Sequence, residues 1–497
     1  MPSPAERLIT ASIVAIVTVV SLVLMLSWTS PELSWDEASY TANTHASWGR
    51  LWSTVDYDRH FHGPMAIYLV KLSEEVLPGQ AGSVESRLRF LIVLAGSLGI
   101  GLLYWALRHI FGTSRPAALV GCGLLLLSVI RIKEANIIGP HHLMLACTLA
   151  VVSLGYHSRN RPSLRSALVL GTVLGFGALS MTYVIPVFLC WTVAVALAGA
   201  GWVAWDRTHL KISWLVPAMV LTAAVVVLVV WPPGVLRYVV LKDFDYYVHY
   251  RQINLRLATL VGDRLFETPP FWAAGYWLAS LEAPLLITAV ATIAITIWKA
   301  RKGGVTSKHI YLSVSVAFLL MTALVAHQAG ARNLLQFVGV LCLATGAVFD
   351  EALGHNPRII RFSSAAILIM AALNLAWLSQ YSRYKPYFAT DGYRALVEQQ
   401  KGRLSESAKV MVYGLPVLKF YAEQAGTALA WDASEMPWTT HADIRLAPDI
   451  KYVLIPAFVY HGVPAEQPLR AVVAAHWKTV WSFNDGHAWE LRLFEKP

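Results

Sequence analysis

The chain has 497 residues, of which 56% are hydrophobic and only 14% charged. Soluble domains carry about 25% charged residues, so this composition excludes a soluble globular protein and indicates an integral membrane protein. The net charge of +10 does not point to nucleic acid. The basic residues fall mainly in short connectors between apolar runs, as the positive-inside rule expects, and no basic stripe with interleaved aromatics is present. All four cysteines (Cys122, Cys147, Cys190 and Cys342) lie inside apolar runs. Their spacing matches neither a zinc site nor a disulfide framework.

The first apolar run, from about Leu8 to Trp28, is longer than a signal-peptide core and has no small-residue cleavage site after it. It reads as a retained span. "SWDEASY", residues 34 to 40, follows directly and carries two adjacent carboxylates, Asp36 and Glu37. By themselves these residues read equally as a hydrated collar on a helix end or as chemistry. They open a long acidic loop, residues 29–87. Within it, "EASYTANTHASWGRLW" has helical spacing with aromatics on one face, which predicts a helix lying in the membrane interface. "PMAIYLVKLSEEV", opened by a proline, predicts a second interfacial helix. Together they would form a shelf beside the bundle.

A helix needs about 20 apolar residues to cross the hydrocarbon core. Eleven stretches qualify: 8–28, 88–110, 115–131, 138–157, 165–182, 184–204, 213–231, 272–298, 309–327, 333–350 and 359–380. The connectors "RHIFGTSRP", "HSRNRPSLR", "WDRTHLK", "WKARKGG" and "GHNPRIIRF" are short and basic, and so are expected in the cytoplasm. Residues 29–87, "RIKEANIIGP", residues 232–271, "HQAGAR" and the C-terminal tail then lie outside, with the N-terminus inside.

From about Tyr384 the composition changes. "AKVMVYG" and "DIKYVLIPAFV" read as buried strands, "LPVLKFYAEQAG" and "PLRAVVAAHWKTVW" as helices, and "AWELRLFEK" as a terminal strand. Residues 384–497 are therefore expected to form an extracytoplasmic α/β domain behind a transmembrane domain of residues 1–383. It has no glycine-rich phosphate loop, so ATP-driven work is not indicated.

The order "WDEASY", "HGPMAIYLV", "SRLRFLIVLAGSLG" after a first span resembles the GT-C superfamily of membrane glycosyltransferases. The likeness is to the branch holding the protein O-mannosyltransferases and the lipid A aminoarabinose transferase. The fold class this implies is a polytopic α-helical membrane protein of about 11 transmembrane helices, with interfacial helices in the first outer loop and the C-terminal α/β domain outside. Members take one sugar from a polyprenyl-phosphate carrier and work on the external face of the plasma or inner membrane; the lack of an obvious eukaryotic targeting signal leads to the expectation of a bacterial inner membrane here. Such transfer needs a base for the acceptor hydroxyl and cations for the departing phosphate. The resemblance places the base at Asp36, with Glu37 orienting it or binding acceptor, and the sugar transferred with inversion.

Near the fourth span, where the family often has an acidic residue, this chain has "GPHHLM". His141 or His142 stands there, and Glu134 lies a few residues upstream. Asp58, His62, Glu134 and His141 are the candidate substrate-binding residues. Arg332 occupies a place resembling the family's arginine before a late span, although Asn333 replaces the usual aromatic. With Arg131 and Lys133 it is a candidate ligand of the donor phosphate, since arginine matches phosphate bidentately.

"DYDRHFHGP" offers Asp56, Asp58, His60 and His62 as atoms for a divalent metal. The phosphate can be neutralised by arginine alone, so no metal or other cofactor is required. The expected partners are the polyprenyl-phosphate-linked sugar, a glycan, lipid or protein acceptor, and membrane lipids. Two alternatives remain: a non-catalytic assembly subunit that keeps the fold, and a lipid-linked sugar flippase or transporter. The transporter would be expected to show charges within its spans or paired broken helices.

Overall fold

The computed structural model describes residues 3–28, 32–53, 64–77, 79, 82–134, 138–161, 163–180, 207–235, 259–261, 264–266, 272–303, 306–325, 331–382, 392–435, 448–456, 476–484 and 490–497. At Trp35, Asp36, Lys133 and Glu134 it describes the backbone only.

The helices begin where the sequence supplies caps. In α1 (Pro4–Ser27) the Ser3 hydroxyl accepts from the Glu6 amide at 3.2 Å, with proline in the first turn. A proline there gives up only an N–H that no helix carbonyl could use. Ser83 and Ser114 cap α5 (Val84–His109) and α6 (Arg115–Leu126) in the same way. The bundle continues with α7 (His141–Asn160), α8 (Leu164–Ser180) and α9 (Arg207–Val230). It is completed by α10 (Ala273–Leu281), α11 (Ala283–Gly303), α12 (Ser307–Val325), α13 (Leu335–Ala352) and α14 (Pro357–Ser382).

Ten of the eleven predicted spans coincide with helices; the stretch 184–204 lies outside the described residues. Among the described residues, four helices are long and apolar enough to cross a membrane, or five when a bent pair is taken as one. That bent pair corrects the expectation of a single straight span over 272–298. α10 and α11 meet at 103°. Glu282 sits at the corner, buried, and its carboxylate accepts from the Ser128 hydroxyl at 2.6 Å and from the Ile130 amide at 2.8 Å. The same contacts explain why α6 stops at Leu126 and the chain continues as a π-helix, Ile130–Glu134. A side chain has taken one backbone donor, the Ile130 amide, away from the α-helical ladder.

Burial separates inner from outer helices. α13 is almost wholly enclosed, whereas α1 and α14 leave Leu8, Val23, Phe362, Leu373 and Trp377 exposed. Exposed apolar side chains on such helices suit a lipid surrounding. Where backbones approach closely, glycine is required. A Cβ at Gly121 would lie 2.8 Å from the Cys342 carbonyl oxygen and 3.2 Å from the Gly346 Cα. Gly171 and Gly175 of α8 face Met219 and Val226 of α9 in the same manner, the small-xxx-small spacing of membrane helix pairs.

One end of the bundle carries a set of paired charges. Arg108 bonds Glu6 at 2.8 Å, the Asp350 carboxylate caps Ser114, and Glu351 receives Lys308, with His309 2.7 Å away. At the other end lies the first long loop. The single amphipathic helix expected over 37–52 is instead two, α2 (Trp35–Thr41) and α3 (Trp48–Ser53), with a turn between them. Thr41 and Thr44 explain the break, because both hydroxyls bond backbone carbonyls three residues back and so compete with the helix. α4 (Met65–Val76) forms as expected, and Glu75 accepts from the Trp48 indole at 2.9 and 3.0 Å.

A short antiparallel hairpin, β1 (Thr259–Val261) and β2 (Arg264–Phe266), precedes α10. The C-terminal region holds α15 (Gly392–Gln399), α16 (Leu415–Gln424) and a five-stranded mixed sheet. Its strands are β3 (Ala408–Val412), β4 (Trp431–Glu435), β5 (Ile450–Pro456), β6 (Lys478–Asn484) and β7 (Glu490–Glu495), in the order β4-β3-β5-β7-β6. β3 pairs in parallel with β4 and β5, and the remaining pairs are antiparallel. The predicted helix over 468–481 is corrected at its end: from Lys478 the chain is strand, paired with β7. The β-branched and aromatic run Thr479, Val480, Trp481 accounts for this.

Gly121→Ala should lower stability by about 1–3 kcal/mol, since the new methyl meets backbone. Gly275→Ala, at an exposed helical position with nothing within 4 Å, should be neutral or stabilising by up to about 1 kcal/mol. Thermal unfolding of the two variants in detergent micelles checks the contrast.

Candidate active site

The acidic pair opens α2. Ser34 is its N-cap, and Ser34 and Glu37 form a reciprocal capping box: the Ser34 amide donates to Glu37 Oε2 at 2.8 Å, and the Glu37 amide to Ser34 Oγ at 3.3 Å. Asp36 is therefore in the first turn of the helix; its side chain lies outside the described residues.

Glu37 is buried and fully engaged. Arg89 of α5 donates through Nε to Oε1 at 2.9 Å and through Nη2 to Oε2 at 2.8 Å, a bidentate pair with both side chains almost fully enclosed. The Ile138 amide adds a bond to Oε1 at 3.2 Å. One carboxylate thus ties the first long loop, α5 and the residues leading into α7. Burial pushes the Glu37 carboxyl up, but the Arg89 charge and hydrogen bonds, with the Ser34 and Ile138 amides, outweigh it and hold the group below the usual carboxylate range. Arg89 also donates to the Glu32 carbonyl oxygen at 2.9 Å.

The other predicted residues fall into four groups. His141 and His142 begin α7, both buried, three and four residues beyond Ile138. His142 packs on α5 where Gly96 leaves room; a Cβ there would stand 3.0 Å from the His142 Cβ. Glu37 therefore brings the "GPHHLM" stretch to the acidic pair. Arg332 lies in a 3-10 turn, Ala331–Leu334, half-buried and packed beside the π-helix that carries Lys133 and Glu134. The side chains of Lys133 and Glu134 lie outside the described residues, as do Asp58 and His62 entirely.

Arg131 is buried rather than turned to the membrane surface. Its guanidinium donates to the Leu126 carbonyl at 3.1 Å and to the Ser21 hydroxyl. Ser21 in turn donates to Ser97 at 2.8 Å, so this arginine pins the π-helix to α1 and α5. Among the described residues no three His, Cys, Asp or Glu side chains gather as metal ligands; Asp56, Asp58, His60 and His62 lie outside them.

The sequence alone assigns Arg89 no role, although it lies within the "SRLRFLIVLAGSLG" stretch. Its signal was available: an arginine inside an otherwise apolar span needs a partner. Nothing in the sequence selects Glu37, from the several acidic residues of the loop, as that partner.

Glu37→Gln should destabilise the protein by about 3–5 kcal/mol at neutral pH, because it leaves Arg89 buried without its counter-charge. A carboxyl held low in the folded state adds stability at pH values above its unfolded pKa of about 4.3. That stability is lost as the pH falls through the lower folded value. Thermal unfolding against pH should therefore show a wild-type acid limb that Glu37→Gln flattens.

Residues 61–231 match the family model for dolichyl-phosphate-mannose-protein mannosyltransferase. Among curated proteins, none matches the sequence. In fold the chain is similar to the archaeal oligosaccharyltransferase AglB from Archaeoglobus fulgidus, in complex with an inhibitory peptide and a dolichol-phosphate. The TM-score is 0.60 at 12% identity, over 98% of this chain and 74% of that one. A second structure of the Archaeoglobus fulgidus oligosaccharyltransferase, tethered with an acceptor peptide through a disulfide bond, gives a TM-score of 0.58 at 12% identity, over 97% and 74% of the two chains. The chain thus shares its fold with the archaeal oligosaccharyltransferase, and about a third of it matches the dolichyl-phosphate-mannose-protein mannosyltransferase family model.

Proposed function

We propose that the protein is a membrane glycosyltransferase that moves one sugar from a polyprenyl-phosphate donor to an acceptor hydroxyl on the extracytoplasmic face. The observation that carries this reading is the Glu37–Arg89 clamp, which presents the first turn of α2, and with it Asp36, beside the residues leading into α7. The family match over residues 61–231 and the dolichol-phosphate bound to the archaeal relative support the donor class.

In this mechanism Asp36 takes the proton of the acceptor hydroxyl as its oxygen attacks the anomeric carbon. The bond from that carbon to the phosphate oxygen breaks on the opposite face. The sugar leaves inverted on the acceptor, and polyprenyl phosphate departs with the electron pair. Neighbouring carboxylates raise each other's pKa; neutralising Glu37 with Arg89 leaves Asp36 free to ionise and act as base. Glu37 is thus a positioning residue.

Arg332 and Lys133 receive the charge that develops on the phosphate, and Arg131 adds positive charge from within the bundle. Their common placement is supported by the packing of the 331–334 turn on the π-helix. Asp58, His62, Glu134 and His141 are assigned to sugar and acceptor. In this reading the Glu6, Glu351 and Asp350 end of the bundle is cytoplasmic, and the C-terminal domain is outside the cell's inner membrane.

The test is release of polyprenyl phosphate from a set of polyprenyl-phosphate sugars by purified protein, with cell-envelope extract as acceptor. Asp36→Asn should cut turnover by about 10²–10⁴-fold. Arg332→Ala should cost on the order of 10²-fold, and a chelator should leave the rate unchanged. Unaltered release by Asp36→Asn would remove the base assignment. No release with any donor, from folded protein, would favour the assembly-subunit alternative.

A further inference from the structure

One peptide group between the first span and α2 is held from both sides. The carbonyl of Glu32 accepts from Arg89 Nη2 at 2.9 Å, from the bundle. The amide of the next residue, Leu33, donates to the Tyr421 hydroxyl at 2.9 Å, from α16 of the C-terminal domain. The Glu32–Leu33 peptide therefore cannot rotate without breaking a bond on one side or the other. Leu33 directly precedes Ser34, the N-cap that starts the helix of Asp36.

Tyr421 is itself fixed. Its hydroxyl donates to Glu85 Oε1 at 3.0 Å, and Arg394 donates to the same oxygen while its guanidinium carbon lies 5.1 Å from the Tyr421 ring centroid. Glu85 stands one helical turn before Arg89 on α5, so both face the loop. The Glu32 carboxylate completes the junction, accepting from the Arg394 amide at 2.9 Å and the Tyr393 amide at 3.3 Å at the start of α15. These are amides that a helix N-terminus leaves without a partner. Leu33, Ala38 and Tyr40 share a buried apolar cluster with Leu418, Phe420 and Tyr421. Polar groups in such a setting are costly to leave unpaired, which makes the junction specific rather than merely adhesive.

We infer that Tyr421 and Arg394 are positioning residues for the transfer reaction, and that the C-terminal domain forms part of the active site by fixing the peptide from which the helix of Asp36 begins. This rests on Asp36 being the base. Displacing a reacting group by about 1 Å costs on the order of 10²-fold, so loosening the junction acts on turnover more than on donor binding.

The experiment compares the full-length wild type with Tyr421→Phe, Arg394→Gln and Arg394→Lys, with Asp36→Asn as control. It measures donor KM and kcat for polyprenyl phosphate release, together with hydrogen exchange of residues 32–41. Tyr421→Phe keeps the ring and its packing and removes only the hydroxyl. The expected result is a kcat at least tenfold lower, donor KM within twofold of wild type, and at least tenfold faster exchange in residues 32–41. Exchange in β5 should stay unchanged. Arg394→Gln should behave likewise, and Arg394→Lys should restore most of the rate by keeping the charge against Glu85.

Turnover and exchange of Tyr421→Phe within twofold of wild type, beside an inactive Asp36→Asn, would overturn the inference. A full-rate Asp36→Asn, or a wild type that releases nothing, would instead remove the underlying functional reading. In that case the exchange of residues 32–41 alone decides whether Tyr421 holds the segment.

Discussion

The buried ion pair between Glu37 and Arg89 is the interaction around which the α2 end of the molecule is built. Each oxygen of Glu37 receives one bond from Arg89 and one from a backbone amide, Ile138 for Oε1 and Ser34 for Oε2. Removing such groups from water is costly, and only good geometry with satisfied lone pairs offsets it. Here the geometry is bidentate and the remaining bonds come from the chain segments that must meet. The pair therefore acts as a register mark: the first loop, the second span and the start of α7 share one arrangement that satisfies all of its partners.

The same arginine reaches the Glu32 carbonyl, which connects the clamp to the junction with the C-terminal domain. Glu85 and Arg89 lie a turn apart on one helix and serve neighbouring tasks. One receives Tyr421 and Arg394 from the C-terminal region, and the other holds Glu37. The helical repeat thus places two opposite charges where two structural units converge. The C-terminal region packs its apolar residues against α2 in a common core, so the loop carrying the acidic pair lies between it and the bundle.

Away from this end the bundle follows membrane packing rules. Helices approach where glycine removes side-chain bulk, as at Gly121 and Gly346, and apolar side chains on α1 and α14 point outward. Glu282 is the exception that shapes the middle. By accepting from Ser128 and Ile130 it bends one span and converts the end of another into a π-helix. That change turns Arg131 inward and sets Lys133 and Glu134 on the turn packed beside Arg332.

The sequence by itself determined the membrane class, the positions of most helices, the presence of strands and helices together in the C-terminal region and the "WDEASY" motif. Hydrophobic runs and caps are local properties, and they are legible without neighbours. The strand at Lys478, the break between α2 and α3 and the 103° corner at Glu282 were not legible, because each depends on a partner distant in sequence or on competing side-chain bonds. The structural engagement of Glu37 belongs to the same class. Asp36 and Glu37 are chemically alike and adjacent. Only the tertiary structure, by bringing Arg89 from 52 positions away to Glu37, decided which carboxylate is structural. Long-range charge pairing is chosen by geometry rather than by local pattern, so no inspection of the motif could have assigned it.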